Sequence, residues 1–254
     1  MIAALPMYDR METLSETDRF WSLIAKEHTN APKALCRDRD PWDIWTDPQL
    51  FLAQTCGMPY RVKLRHDVSY VTTPDFGLPL CPAGYYNSVF LKRKGDTRDL
   101  DQLCQGVFAY NDSLSQSGWA GPVQHLLDLG LGPTQGQQSG AHRASAELVT
   151  QGKADFCAVD AQTWRLMQRY DPWTQTLLVI DQTAPTPALP YICSPNIDPA
   201  EVEVSVLSAF SKLHTSDKAV LGVSQFVKLC PEQYFSVATP PLPYEMFKNH
   251  ADWL

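Results

Sequence analysis

Short apolar runs alternate along the chain with segments whose apolar residues recur at helical spacing. The runs predict buried strands, and the spaced segments predict amphipathic helices. In residues 119–129, for example, Trp119, Val123 and Leu126 fall on one helical face. Regular alternation of this kind is typical of an α/β fold. The predicted strands are residues 2–5, 68–71, 85–91, 107–110, 155–159 and 177–180.

Helix signals are equally frequent. Asp47-Pro48 places a cap residue before a proline, which predicts a helix start ahead of residues 50–55. Glycine- and proline-rich stretches at 130–140 and 181–190 predict irregular connections. The other predicted helices are one that begins near Ser15 and the segments 99–104, 119–129, 141–151, 160–170, 200–213 and 218–229.

Composition narrows the classes of partner. The 254 residues are 44% apolar, enough for one large core or two smaller ones. A formal charge of −7 argues against a nucleic-acid or anionic-membrane surface. The net charge does not exclude an anionic ligand, because a buried anion site depends on nearby hydrogen-bond donors and not on the charge of the whole protein. No apolar run is long enough for a membrane span.

The first residues, Met-Ile-Ala-Ala-Leu-Pro-Met-Tyr-Asp, show no basic segment and no apolar segment of a secretion signal. This pattern predicts a cytoplasmic protein, whereas a processed or truncated form of the chain would be periplasmic.

The cysteines and histidines show no metal or redox signature. Seven cysteines occur without a Cys-x-x-Cys pair, which excludes a zinc ribbon or thioredoxin motif and favours reduced thiols. A disulfide between Cys56 and Cys81, both on predicted turns, stays open. The six histidines have no metal-pair spacing, so no metal is expected. No cofactor is expected either. A nucleophile at Cys56 with His66 as base has no supporting signature.

The strongest candidate for a binding site is the segment 111–118, Asn-Asp-Ser-Leu-Ser-Gln-Ser-Gly. It lies between a predicted strand and a predicted helix, where backbone N–H groups are unpaired and the helix dipole favours negative charge. The hydroxyls of Ser115 and Ser117 add donors, and Gly118 permits close approach to the backbone. An oxyanion fits such a place. The alternative is a serine-capped helix with no ligand.

Two further segments have the same character. Ser139-Gly140-Ala141-His142 opens a predicted helix and places His142 in its first turn. Asp160 follows the predicted strand 155–159, and ligands of open α/β sheets bind beyond the carboxyl ends of strands. A structural histidine and a simple helix cap are the alternatives for His142 and Asp160.

Together these motifs resemble the substrate-binding proteins of phosphonate, phosphite and phosphate ABC importers, which belong to the type 2 periplasmic-binding-protein superfamily. Ser115-Gln116-Ser117-Gly118 is similar to that family's Ser-Thr-Ser-Gly anion loop, with Gln116 in place of threonine. Ser139-Gly140-Ala141-His142 matches its Ser-Gly-x-His, and Gly152-Lys153-Ala154-Asp155 matches its Gly-x-Ala-Asp. The resemblance is specific over roughly residues 85–190.

The resemblance implies two α/β lobes joined by two crossing strands, at residues 89–92 and 177–181. Lobe 1 would comprise residues 1–91 and 181–254, and lobe 2 residues 92–180. The ligand would lie in the cleft and the lobes would close by a hinge. The implied ligand residues are Ser115, Gln116, Ser117, Gly118, His142, Asp160, Tyr8, Tyr85 and Tyr86.

The expected function is binding of a small phosphate- or phosphonate-like anion without chemistry, by a monomer that serves an ABC permease or by an intracellular homologue. The family's phosphonate binders use acidic residues to hold an amino group on the ligand, and Asp160 is the one candidate for this role here. No second carboxylate follows residue 181 and Gln116 departs from the family's anion loop, so an aminoalkylphosphonate is not expected. Two alternatives stay open: a cytoplasmic enzyme of the menaquinone- or thiamine-pyrimidine-biosynthesis type, and a ligand-sensing partner of another protein. Fold does not decide between them.

Overall fold

The chain folds into two compact units. The computed structural model describes the backbone of residues 1–251 and the side chains of residues 1–248. One unit comprises Met1–Tyr85 and Pro187–Ser236. The other comprises Tyr86–Thr186 and the described residues from Val237 onward.

The predicted alternation of strands and helices is present in both units. The strands are β1 Ile2–Ala4, β2 Leu50–Gln54, β3 Ser69–Asp75, β4 Tyr85–Tyr86, β5 Ser88–Arg93, β6 Val107–Tyr110, β7 Gln135–Gln138, β8 Phe156–Asp160, β9 Leu177–Gln182, β10 Thr186–Pro187, β11 Tyr191–Cys193 and β12 Gln225–Val227. The α-helices are α1 Leu14–Lys26, α2 Pro41–Trp45, α3 Gly57–Pro59, α4 Leu100–Cys104, α5 Gly121–Asp128, α6 His142–Thr150, α7 Ala161–Tyr170, α8 Pro199–Lys212, α9 Thr215–Leu221, α10 Pro231–Phe235 and α11 Pro243–Ala251. Short 3₁₀ or π turns occur at Met11–Thr13, Tyr60–Leu64, Gln116–Ala120 and Pro172–Thr176.

The first unit is built on a five-stranded sheet of order β1-β2-β11-β3-β12. Strands β1 and β2 are parallel, and β11 is antiparallel to both β2 and β3. One apolar cluster, which contains Trp21 and Val206, and another, which contains Trp45 and Tyr234, supply the core of this unit.

The second unit is built on a five-stranded sheet of order β7-β6-β8-β5-β9. Strand β6 is parallel to β7 and to β8, whereas β5 is antiparallel to β8 and β9. Its core also forms two clusters, one around Met167 and one around Trp119. Three parallel strands side by side therefore point their carboxyl ends the same way.

The segment predicted to cross between lobes at 89–92 lies inside β5, and the one at 177–181 lies inside its neighbour β9. The chain passes between the units at Tyr85/Tyr86 and Thr186/Pro187, and again after Ser236. Residues from Val237 group with the second unit because α11 packs there: the Trp119 indole donates to Pro241 O at 3.0 Å and its ring meets Phe247 at 5.7 Å.

Three local predictions were wrong. Residues 50–54 form a strand, since all five side chains are buried and the Asp47 carboxylate closes a local turn on Gln49 N–H. Segment 130–140 contains β7, which is polar and exposed and is held by backbone pairing with β6. The helix predicted over 218–229 ends at Leu221, because Gly222 adopts a left-handed conformation (φ 67°) and β12 follows.

Candidate functional site

Three helix starts follow the carboxyl ends of the three parallel strands in the second unit. Strand β6 leads to the turn Gln116–Ala120 and α5, β7 leads to α6, and β8 leads directly to α7. Such an edge collects unpaired backbone N–H groups and positive helix-dipole ends, which suit an anion.

The loops that follow β6 and β7 are hydrogen-bonded to each other. Gly140 N–H donates to Asn111 O at 2.9 Å, and Ser139 N–H donates to Tyr110 O at 2.9 Å. The Ser139 hydroxyl also contacts the Ser145 hydroxyl at 2.7 Å in the first turn of α6. The two helix starts are therefore held in a fixed relation within this unit.

Ser115, Ser117 and His142 meet at this edge. The Ser115 hydroxyl accepts from Gly118 N–H at 3.0 Å, so Ser115 caps the helical turn that follows. The Ser117 hydroxyl lies 2.9 Å from His142 Nε2. Both serines are 4% exposed.

Gly118 is required by its surroundings. A β-carbon built on it would lie 1.7 Å from Asn111 Oδ1 and 3.1 Å from His142 Cε1. Asn111 Oδ1 is buried and has no hydrogen-bond partner among the side chains and backbone groups that the structure describes. The carboxamide therefore uses the room that the missing side chain leaves.

Asp160, at the end of β8, completes the cluster. It caps α7, since its Oδ1 accepts from Thr163 N–H at 2.7 Å and its Oδ2 accepts from the Thr163 hydroxyl. The same Oδ2 lies 3.6 Å from His142 Nε2. Burial lowers the pKa of His142 below its ordinary value, although the Asp160 carboxylate and the Ala158 backbone pull the pKa upward. The neutral imidazole is thus favoured at neutral pH.

This geometry differs from that of a hydrolytic triad. A Ser-His-Asp triad needs the serine on one imidazole nitrogen and the carboxylate on the other. Here Ser117 and Asp160 both face Nε2 of His142. The arrangement suits the holding of a polar group more than proton transfer out of Ser117.

The structure brings together five of the predicted ligand residues: Ser115, Ser117, Gly118, His142 and Asp160. Gln116, 3% exposed, lies in the same turn. Tyr86, also buried, belongs to the second unit. Tyr8 and Tyr85 belong to the first, where Tyr8 packs edge-on against Phe76 and the Tyr85 hydroxyl accepts from Gln233.

Sequence reasoning missed two residues of the cluster. Asn111 was noted within a polar loop, but only the fold puts its carboxamide against Gly118. Thr163 donates hydrogen bonds to both carboxylate oxygens of Asp160. Its position three residues after an aspartate at a strand end is typical of a helix N-cap contact, and that spacing could have identified it.

Within the described side chains, no group of His, Cys, Asp or Glu could hold a metal ion. Cys56 and Cys81 are not joined by a disulfide bond. No helix in residues 1–251 has the length and apolar character to cross a membrane.

Solved structures share the fold. At 17% identity, the chain is similar to PhnD1 from Prochlorococcus marinus in complex with methylphosphonate, with a TM-score of 0.68 and coverage of 100% of this chain and 98% of that one. It is similar at 16% identity to a binding-protein component of an ABC phosphonate transporter from Pseudomonas aeruginosa, with a TM-score of 0.69 and coverage of 92% and 82%. A Xanthomonas citri protein bound to chloride matches at 15% identity, with a TM-score of 0.67 and coverage of 91% and 92%. The fold is the predicted α/β fold of type 2 periplasmic-binding proteins.

A family model matches most of the sequence. Residues 54–234 match the model described as ABC transporter, phosphonate, periplasmic substrate-binding protein. The chain belongs to this family, which confirms the resemblance seen in the sequence. No curated protein matches the chain in sequence.

Proposed function

We propose that the protein binds a small tetrahedral oxyanion of the phosphate or phosphonate class at the carboxyl edge of β6, β7 and β8, as the substrate-binding component of an ABC importer. One observation carries the proposal: side chains from the ends of β6, β7 and β8 meet at one place, where His142 Nε2 lies 2.9 Å from the Ser117 hydroxyl and 3.6 Å from Asp160 Oδ2. The serine loop and the start of α6 add backbone donors.

The family supports this choice of ligand class and of partner. Its members are solute-binding components of phosphonate transporters, which implies a small ligand and a permease. The Prochlorococcus relative was solved with methylphosphonate, so methylphosphonate and inorganic phosphate are the first ligands to test. The family is described as periplasmic, and that is the location we propose; the cytoplasmic location expected from the first residues has no support from it.

Membership of a solute-binding family gives no support to the alternative that the protein is an enzyme. No described contact among Ser115, Ser117, His142 and Asp160 favours activation of a nucleophile. Closure of two lobes around the ligand, which the sequence resemblance implied, stays a prediction, as does the monomeric state. The roles of Tyr8, Tyr85 and Tyr86 in ligand binding also stay predictions.

Thermal unfolding with added anions tests the proposal. A ligand bound only by the folded protein stabilises it by RT ln(1 + [L]/Kd), about 2.7 kcal/mol at a hundredfold excess over Kd. We expect phosphate or methylphosphonate to raise the melting temperature. Absence of a response to phosphate, phosphite and every phosphonate tried would contradict the proposal.

A further inference from the structure

The segment of residues 237–247 packs against the buried tryptophan that follows the 115–118 turn. Trp119 comes directly after Gly118 and is fully buried. Its indole N–H donates to Pro241 O at 3.0 Å, and its ring meets the Phe247 ring edge-on at 5.7 Å. The indole has one N–H to donate, and an unpaired N–H is costly when it is buried. The position of Trp119 therefore depends on a carbonyl group 122 residues further along the chain.

Phe247 packs on strand β7 at a place where a glycine leaves room for its ring. A β-carbon built on Gly136 would lie 2.4 Å from Phe247 Cζ and 3.1 Å from Tyr110 Cε1. The backbone of Gly136 is not in the left-handed region, and it belongs to the regular pairing of β7 with β6. Close approach of the Phe247 ring, and not backbone conformation, therefore accounts for a glycine at this position.

The start of α11 gives the segment a defined shape. The Glu245 carboxylate accepts from Leu242 N–H at 2.8 Å, and the N–H groups of Glu245 and Met246 both donate to Leu242 O at 2.9 Å. This pattern is one half of a capping box, with Pro243 at the first helical position. Met246 and Phe247 then pack together against the aromatic cluster that contains Trp119.

Trp119 is connected to the candidate ligand residues through the backbone of one turn. The N–H groups of Trp119 and Ala120 both donate to Ser115 O, at 3.2 and 2.9 Å. A shift of the Trp119 ring therefore moves the backbone that carries Ser115 and Ser117. The 2.9 Å contact between the Ser117 hydroxyl and His142 Nε2 depends on the position of that backbone.

We propose that Phe247 and Trp119 are positioning residues: the segment 237–247 holds Trp119, and through it the 115–118 turn, in the geometry that binds the anion. The inference rests on the proposed function, and it requires neither residue to touch the ligand. A purely structural role of the segment would lower the stability of the protein and leave the affinity of the folded protein unchanged.

Titration calorimetry of inorganic phosphate and methylphosphonate compares the wild type with Phe247→Ala and Gly136→Ala. The first variant removes the ring, and the second places a methyl group where the ring lies. Alanine is by itself more favourable than glycine inside a strand, so Gly136→Ala has no other reason to disturb the site. We expect each variant to bind the anion that the wild type binds about three- to thirtyfold more weakly, the range for residues that act on a site through other residues.

Two controls separate positioning from stability. Leu177→Ala truncates a buried side chain at the amino end of β9, which the strand register places at the end of the sheet away from Asp160. It should lower the melting temperature at least as much as Phe247→Ala and leave the affinity unaltered. Gly132→Ala adds a methyl group in the same unit where, within the described part of the chain, only Leu127 Cδ2 lies as near as 4.0 Å. It should change neither quantity.

Hydrogen exchange of the backbone amides of residues 115–120, followed by mass spectrometry, reports on the turn without a ligand. We expect faster exchange there in Phe247→Ala than in the wild type or in Leu177→Ala. Thermal unfolding of each variant checks that it is folded.

Wild-type affinity in either Phe247→Ala or Gly136→Ala would overturn the inference while leaving the proposed function intact. Unaltered exchange of residues 115–120 in Phe247→Ala, or an equal loss of affinity in Leu177→Ala, would overturn it as well. Absence of binding of both phosphate and methylphosphonate by the wild type would overturn the proposed function itself, and the inference with it.

Discussion

Asn111 Oδ1 occupies the space into which a side chain at Gly118 would extend, 1.7 Å from the position of a β-carbon there. Gly118→Ala therefore forces the Asn111 carboxamide or the 115–118 turn to move. We expect a loss of about 1–3 kcal/mol in the free energy of unfolding and a fall of about tenfold or more in phosphate affinity, since Ser117 moves with the turn. Chemical denaturation and calorimetry measure the two effects.

Gly132→Ala is the control for this change. Among the described residues, only Leu127 Cδ2, at 4.0 Å, comes near a β-carbon at Gly132, which belongs to the same unit. We expect it to alter neither stability nor affinity appreciably. If Gly118→Ala also left the free energy of unfolding and the phosphate affinity unchanged, the packing of Asn111 against Gly118 would not be needed for the structure of the site.

Ser117→Ala and His142→Ala should each weaken phosphate binding without unfolding the protein. Loss of a hydrogen bond to a charged ligand costs about 1.5–3 kcal/mol, roughly tenfold or more in Kd. Because the two side chains contact each other at 2.9 Å, the double variant should lose less than the two single losses combined. Titration calorimetry on all three variants gives the coupling.

Ser211→Ala on α8 removes a hydroxyl that bonds Ser208 O in the first unit, and we expect it to bind phosphate as the wild type does. Full affinity in both Ser117→Ala and His142→Ala would show that the ligand binds elsewhere.

His142 should make the stability of the ligand-free protein depend on pH. Its pKa in the folded state is lowered, mainly by burial, so the unfolded chain binds a proton more readily. Above the unfolded-state pKa of about 6.5, His142 is neutral in both states and the protein keeps its full stability. As the pH falls below that value, the unfolded chain binds a proton at His142 and the free energy of unfolding decreases. The slope reaches at most about 1.4 kcal/mol per pH unit.

Urea unfolding between pH 5 and 8 measures this slope, and His142→Gln should flatten it. The contrast between the two proteins removes the contribution of carboxylates such as Asp96, whose pKa is lowered in both by Arg98 to about 2. Identical pH profiles for wild type and variant would contradict the lowered pKa of His142.

Apolar periodicity was enough to predict the α/β fold, but it failed where tertiary pairing decides. Leu50–Gln54 is apolar on both faces, and such a run fits a buried strand as well as a helix. Gln135–Gln138 has no apolar residue to signal a strand, and only the backbone of β6 makes it one.

The site could be predicted as far as local motifs describe it. Ser115, Ser117 and His142 lie at helix starts, and helix starts leave a sequence signal. The contacts between the motifs leave no sequence signal, because they follow from the order of the strands. These contacts are the approach of Asn111 to Gly118, and the approach of both Ser117 and Asp160 to the same nitrogen of His142. Tyr8 and Tyr85 came from family resemblance alone, and their roles stay predictions.

Titration calorimetry of phosphate and methylphosphonate into the wild-type protein and the Ser117→Ala/His142→Ala double variant tests the central claim most directly. We expect saturable one-to-one binding of at least one of these ligands by the wild type. In the double variant, that affinity should fall by a factor of ten or more while the thermal unfolding transition is retained. Equal binding by the two proteins, or no binding by the wild type, would contradict an oxyanion site at the ends of β6, β7 and β8.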